Sequence, residues 1–370
     1  AGLQPLSSGS FFQEFSLQEA TLLKASGSIN GSPVMPSQLS ILSTQSRVTV
    51  SSTSGYRLVP VQQPQELWKL ITQLQDKEVN AILIIDTLQR ALFRKLQAMK
   101  WTSLPAKNSI IVVLTSSMVS DYQFDFIQDI HAKPLKNVVG LLPGSSHQKE
   151  YVVFSAHYDH LGIGTPNAHQ DSIYNGANDD ATGTTAVLQL ARYFSRLRQN
   201  TRTLVFVAFT AEEIGGYGSL YFSRQYDPDK IMAMFNIEMI GTESKWGPNS
   251  AFLTGFEQSD MGKILQENLK GSPYTVYPDP YPNQQLFFRS DNIKLARWGV
   301  PAHTLSTSRM EPDPAARNKE GDVLYHTPDD EFESLDMRNM TAIIKAIARS
   351  AQSIITAKDT PSRIPRRLED

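Results

Sequence analysis

His157 and Asp159 stand directly after a short apolar stretch, Tyr151-Val152-Val153-Phe154-Ser155-Ala156. Asp179 lies in Asn175-Gly176-Ala177-Asn178-Asp179-Asp180, and Glu212 and Glu213 are adjacent. Glu238 follows Asn236-Ile237, and His326 lies in Tyr325-His326-Thr327-Pro328-Asp329-Asp330. Two imidazoles and several carboxylates, with no cysteine anywhere in the 370 residues, make a hard, oxygen-rich donor set of the kind that takes zinc. One carboxylate shared between two ions, with two further donors to each, would hold a metal pair ~3.5–4 Å apart. Of two adjacent acids, one can ligate while the other takes a proton from an activated water and hands it to a leaving amine.

The elements that must position these residues are legible in the hydrophobic pattern. Residues 137–142, 151–156, 203–209 and 231–240 read as strands, the third almost wholly apolar as in a sheet covered on both faces. Residues 181–197, 213–225, 260–270 and 337–356 read as helices. Strands alternating with helices imply an α/β fold, a three-layer sandwich with a mostly parallel, mixed central sheet. Three of the donor positions fall at carboxyl ends of strands, the edge where ligands bind in open α/β sheets. The N-terminal part differs in texture. It is rich in Ser, Thr and Gly up to about residue 55, then shows a helix from Pro64 to Gln75, a strand at 81–85, a helix at 87–99 and a strand at 109–114. The expected division is an accessory region of α/β or β-rich character at 1–132, a catalytic domain at 133–357 and a flexible tail at 358–370.

Composition narrows the partners. Thirty-five basic residues against 37 acidic ones give a formal charge of −2, a poor balance for a protein that lives on neutralising nucleic-acid phosphates. No apolar run approaches the ~20 residues that span a bilayer. Without cysteine there are neither disulfides nor thiolate ligands. The sequence begins at Ala1 rather than Met, and the expectation is an exported protein, periplasmic or extracellular, that has lost a leader.

Four segments, Ala156-His157-Tyr158-Asp159-His160-Leu161-Gly162, Asn175 to Gly183, Ala211-Glu212-Glu213-Ile214-Gly215 and Tyr325-His326-Thr327, resemble in order and spacing the motifs of the M28 zinc peptidases, a family with co-catalytic metals. The resemblance runs from about residue 137 to 355. It implies two zinc ions, with His157 on one, His326 on the other, Asp179 bridging, Glu213 as a ligand and Glu212 as general base. It implies that the Asp159 carboxylate orients His157 and that the Tyr325 hydroxyl helps polarise the substrate carbonyl. Glu238 stands where relatives usually have Asp, so the charge is kept and the reach changes. The implied activity is hydrolysis of N-terminal residues from peptides, although the family also contains carboxypeptidases. Two alternatives stay open: a glutaminyl cyclase-like zinc transferase, and an inactive binding domain with the peptidase fold.

Other residues have plainer readings. His160 is expected to be a loop histidine near the mouth, Asp180 a helix-start acid, and Asp329 or Asp330 either a partner of His326 or a turn cap. The segment 273–288, with Tyr274, Tyr277, Tyr281, Phe287 and Phe288, is expected to wall the pocket for the substrate's first side chain. Ser290-Asp291 resembles a family segment near the active site, with Asn292 where relatives often have His.

Overall fold

A computed structural model describes residues 2–6, 9–310 and 323–366. Two compact units emerge: residues 15–135, and residues 2–14 together with 136–366. The first residues thus belong with the C-terminal unit rather than with the accessory region.

The larger unit is built on a mixed sheet. Its strands are β1 (Tyr122–Leu142, which enters this unit at its C-terminal end), β2 (His147–His157), β3 (Arg202–Phe209), β4 (Ile231–Ile237), β5 (Ser250–Leu253), β6 (Thr275–Pro278) and β7 (Ala302–Ser306). They lie in the order β6-β5-β7-β4-β2-β3-β1. β3, β2, β4 and β7 are mutually parallel, while β1 and β5 run antiparallel to their neighbours β3 and β7. Register pairs Ser155 with Val207 and with Asn236, and Asn236 with Thr304, so the carboxyl ends of the parallel strands share one edge.

Alternation along the strands divides the core in two, because successive side chains leave a strand on opposite faces. Phe154, Leu204, Phe206 and Phe235 face helices α1 (Thr182–Leu197), α3 (Met261–Leu269) and α5 (Met337–Ser350). Val153, Val205, Val207 and Met234 face α2 (Tyr217–Ser223) and α4 (Asn292–Ala296). Helices on both faces of a mixed sheet make the three layers expected. Phe154 sits at the centre of one face, its ring 5.5 Å from Phe194, 5.5 Å from Phe206 and 5.0 Å from Phe235. Each such ring contributes roughly 1.5–3 kcal/mol by leaving water.

Several boundaries differ from those read in the sequence. β4 stops at Ile237, and Glu238 just beyond it still donates its N–H to the Leu305 carbonyl of β7 at 3.1 Å. Helix α2 begins only at Tyr217, after two glycines with positive φ (Gly215 at 124°, Gly216 at 67°) that carry the chain round the acidic pair. The Pro/Tyr-rich stretch contains β6, paired in parallel with β5. The last helix breaks at Ala351, with a short second piece at Gln352–Ile355. Residues 358–366, expected to be a loose tail, are packed: Ile364 is buried, and the Arg363 guanidinium donates to the carbonyls of Ile231 and Pro228. The rest of that expected tail, 367–370, lies outside the described residues.

The smaller unit has a sheet in the order Leu39–Leu42, Ile110–Leu114, Ala81–Ile85, Arg57–Val61. Ala81-Ile82-Leu83 and Ile110-Ile111-Val112 are wholly buried, because one face packs on the helices Leu67–Asp76 and Arg90–Ala98 and the other on Val48, Val50, Phe124 and Phe126. It is α/β in character.

Candidate metal centre

The parallel strand ends deliver the donors. His157 is the last residue of β2 and is 1% exposed. Beyond β3, Ala211 takes a left-handed φ of 60° and turns the chain so that Glu212 and Glu213 point inward. Met239, after Glu238, has φ 52°, and His326 has φ 58°. Three non-glycine residues in this sparsely populated region, each at or beside a donor, mark backbone strain held by the surroundings.

Besides a group formed by His157, Glu212 and Glu213, whose donor atoms lie within 4.8 Å of one another, two donor groups overlap at Asp179. One atom each from His157, Asp179 and Glu238 lie within 4.8 Å of one another. On the other side His326 Nε2 lies 3.2 Å from Asp179 Oδ2 and 3.2 Å from Glu213 Oε2. Asp179 belongs to both groups, with Oδ1 3.1 Å from His157 Nε2. His160, read in the sequence as a bystander, is half-buried with its side chain only 7% exposed, its Nδ1 2.8 Å from Glu213 Oε1. Its ring meets that of His326 edge-on at 5.6 Å. His160 is therefore part of the cluster.

The donors are held by a backbone-directed polar frame. Asp330 Oδ1 and Oδ2 accept the N–H groups of Asn178 and Asp179 at 2.8 and 3.0 Å, so it fastens the Asp179 loop rather than orienting His326 or capping a turn. Asp180 does serve the start of α1, accepting from the Gly183 N–H at 3.0 Å. It also accepts from Met239 at 3.1 Å and His157 at 3.3 Å, joining three donor segments. Gly183 permits this closeness, since a Cβ there would stand 2.2 Å from the Ile237 carbonyl oxygen.

Asp159 acts differently from expectation. The hydrogen bond to His157 Nδ1 is made by the Asp159 backbone carbonyl at 3.0 Å, with the carboxylate 3.8 Å away. That carboxylate accepts the N–H groups of Glu212 at 3.1 Å and Glu213 at 3.3 Å. One residue thus sets the imidazole and, through its side chain, the acidic pair.

Electrostatics follow from crowding acids out of water. Burial pushes the Glu212 carboxyl up to about 10, with the charges of Glu238 and Asp291 adding to it. Burial likewise raises Glu238 to about 7 and Asp291 to about 6. Burial alone would raise Asp179 too, but the imidazoles of His157 and His326 hold it well below the usual carboxylate range. Burial opposes charge on His157, yet Asp179, Asp180 and Glu238 raise it well above an ordinary histidine.

A divalent cation pair fits this arrangement. Among the buried polar atoms without a hydrogen-bond partner are His157 Nε2, Glu213 Oε1, Glu238 Oε2 and His326 Nε2, all within the overlapping groups. Unsatisfied buried donors and acceptors are costly, and a shared cation would satisfy them together. Glu238, despite its extra methylene, reaches the His157–Asp179 pair from a position just beyond β4.

A cavity of about 40 Å³ opens beside Glu238 and Tyr325. The Tyr325 ring stacks on His326 at 3.8 Å, and burial raises its hydroxyl above an ordinary tyrosine, so it stays protonated. The aromatic side chains expected to wall this cavity are engaged elsewhere. Tyr277 stacks on Trp246, Tyr281 packs edge-on to Phe252, and Phe287 sits in the core beside His303. Leu286 of the same stretch and Arg289, just beyond its end, line it instead.

The fold and this donor set define a metallopeptidase-like α/β protein. The model of peptidase family M28 matches residues 137–351, more than half of the chain, and the chain belongs to that family. It is 21% identical over 245 residues to aminopeptidase YwaD of Bacillus subtilis, a match covering 63% of this chain and 48% of that protein. It is 34% identical over 112 residues to a probable zinc metalloprotease of Pyricularia oryzae, covering 30% of this chain and 22% of that one. The chain thus spans half or less of the length of these curated relatives. Its fold is similar to that of an aminopeptidase from Aneurinibacillus sp. strain AM-1, with a TM-score of 0.50 at 15% identity over 97% of this chain and 86% of the other.

Proposed function

We propose that the chain is a metal-dependent aminopeptidase that holds two zinc ions and removes N-terminal residues from peptides. The observation that carries this reading is the pair of donor groups sharing Asp179, with a Glu212 carboxylate oxygen beside them, within 4.8 Å of donor atoms of His157 and Glu213. His157 and Glu238 would complete one ion's shell, Glu213 and His326 the other's, with His160 supporting Glu213. Zinc, when bound, supplies Lewis acidity and a water whose pKa is lowered to about 7.

The protein's own residues do the rest. Burial raises the Glu212 carboxyl, and cations held beside it would lower it again; deprotonated, Glu212 takes a proton from the attacking water and returns it to the departing amine. Tyr325, protonated and stacked against His326 at the cavity edge, donates to the oxygen that develops charge at the scissile carbonyl. Such donors are worth about 2.7–4 kcal/mol in other hydrolases. Asp159 and Asp330 keep the acids and the bridge in register. Peptides are the expected partners. Among the described residues no helix is long and apolar enough to cross a membrane.

The aminopeptidase direction is supported by the Bacillus subtilis relative. The test is a panel of aminoacyl amides with free and with blocked N-termini, with and without chelator. Chelator-sensitive release from free N-termini alone is expected. Cleavage of the blocked substrates would overturn the direction, and release of cyclised N-terminal glutamine would favour the transferase.

A further inference from the structure

The cavity beside Glu238 carries more information than its position. Its volume of about 40 Å³ corresponds to roughly three water positions. That suits a side chain of about four non-hydrogen atoms and is tight for an aromatic ring. Its wall combines Phe252 and Leu286 with the hydroxyls of Thr304, Ser306 and Ser308 and the guanidinium of Arg289.

The hydroxyls divide by what they already bond. Thr304 Oγ1 donates to Asn292 Oδ1 at 2.9 Å and is spent. Ser306 and Ser308 lie 2.7 Å apart, and one proton serves that contact. The second proton of the pair goes from Ser306 Oγ to the Met239 carbonyl at 3.4 Å, a long bond that an occupant's oxygen could replace. Both serines are buried, at 5% and 2% exposure. Arg289 reaches the same space, and among the described residues no carboxylate forms an ion pair with it. Glu238, the acid in the wall, belongs to the donor cluster. A guanidinium and a buried hydroxyl proton facing a small cavity match a carboxylate.

We propose that this cavity receives the side chain of the substrate's N-terminal residue and selects a short acid, aspartate first and glutamate next. Arg289 and the Ser306–Ser308 pair are the specificity groups. The proposal rests on the aminopeptidase reading for its substrate, but its test separates the two. With zinc present, kcat/KM is measured for Xaa-Ala amides bearing Asp, Glu, Asn, Ala, Leu and Phe at the N-terminus. Asp is expected to exceed Leu and Phe by about tenfold or more. Arg289→Ala should lower the Asp-to-Ala ratio by about tenfold, chiefly through KM, and Arg289→Lys should restore part of it. Ser308→Ala should lower the same ratio by a smaller factor. Independently, calorimetry with Glu212→Gln measures binding of Asp-Ala against Leu-Ala without turnover. A preference for Leu or Phe in both assays, or an equal loss for every substrate in Arg289→Ala, overturns the proposal and leaves the aminopeptidase reading intact. Tight binding of Asp-Ala with no turnover of any peptide by the wild type retains the pocket and removes the aminopeptidase reading. No selective binding and no turnover removes both.

Discussion

Glu212 and Asp330 make opposite contributions at the scale of single residues. Glu212 is adjacent to the donors and is assigned the proton, so Glu212→Gln should cut kcat by at least about a hundredfold. Its zinc content, read by atomic absorption, should stay at the wild-type level. Loss of metal along with activity would make Glu212 a ligand instead. Asp330 touches no substrate; it holds two N–H groups of the loop that carries Asp179. Asp330→Ala should weaken metal affinity by about 10–100-fold, measured by chelator competition. Unchanged affinity would mean that the Asp179 loop keeps its shape unaided.

At the scale of elements, the site depends on how closely α1 approaches the end of β4. Gly183 is the point of nearest approach, where a Cβ would meet both the Ile237 carbonyl and the Asp180 carboxylate. Gly183→Ala should therefore push the bridge loop away from β4. The expected outcome is loss of one metal per chain together with a stability drop of about 1–3 kcal/mol in urea titration. Full metal content and stability would show that α1 can shift without moving Asp179. His303, buried on β7, tests the sheet rather than the site. Its Nδ1 lies 2.9 Å from the Thr254 carbonyl and its Nε2 2.7 Å from Ser259 Oγ, and burial lowers it to about 4. Unfolded, it would titrate near 6.5. Between those values the unfolded chain binds a proton that the folded one does not, so this contribution is complete above pH 6.5 and lost as pH falls toward 4. The stability difference between wild type and His303→Gln should shrink by about 3 kcal/mol over that range. A constant difference would mean that His303 is charged in the folded protein.

For the molecule as a whole, metal and folding are coupled. Stripped of cations, the larger unit must bury Asp179, Glu212, Glu213 and Glu238 together, which protonation relieves: burial has raised Glu238 to about 7 and Glu212 to about 10. Adding zinc should raise the Tm, by an amount equivalent to about 2.7 kcal/mol at one hundred times the dissociation constant. The rise should be larger at pH 8 than at pH 6, because Glu238 must lose its proton to ligate. A Tm indifferent to zinc, or a larger rise at pH 6, would contradict the assignment of Glu238 as a ligand.

The donor residues were legible in the sequence because each sits next to a strong local signal. His157 and Glu213 follow apolar strands, and Asp179 precedes an amphipathic helix. The alternation of strands and helices also gave the layers, since period-2 and period-3.6 patterns are local properties. What the sequence left undecided depends on pairs far apart in the chain. The Asp330 contact with Asn178 spans 152 positions, and nothing in the local pattern near either residue specifies it. The side chain of Asp159 was assigned to the wrong partner because its distance to His157 and to the Glu212 turn is settled only when β2 and β3 lie side by side. His160 became a member of the cluster, and the aromatic side chains of 273–288 were drawn away from the cavity, for the same reason. Local chemistry chose which atoms can bind metal, and packing of distant segments chose what surrounds them.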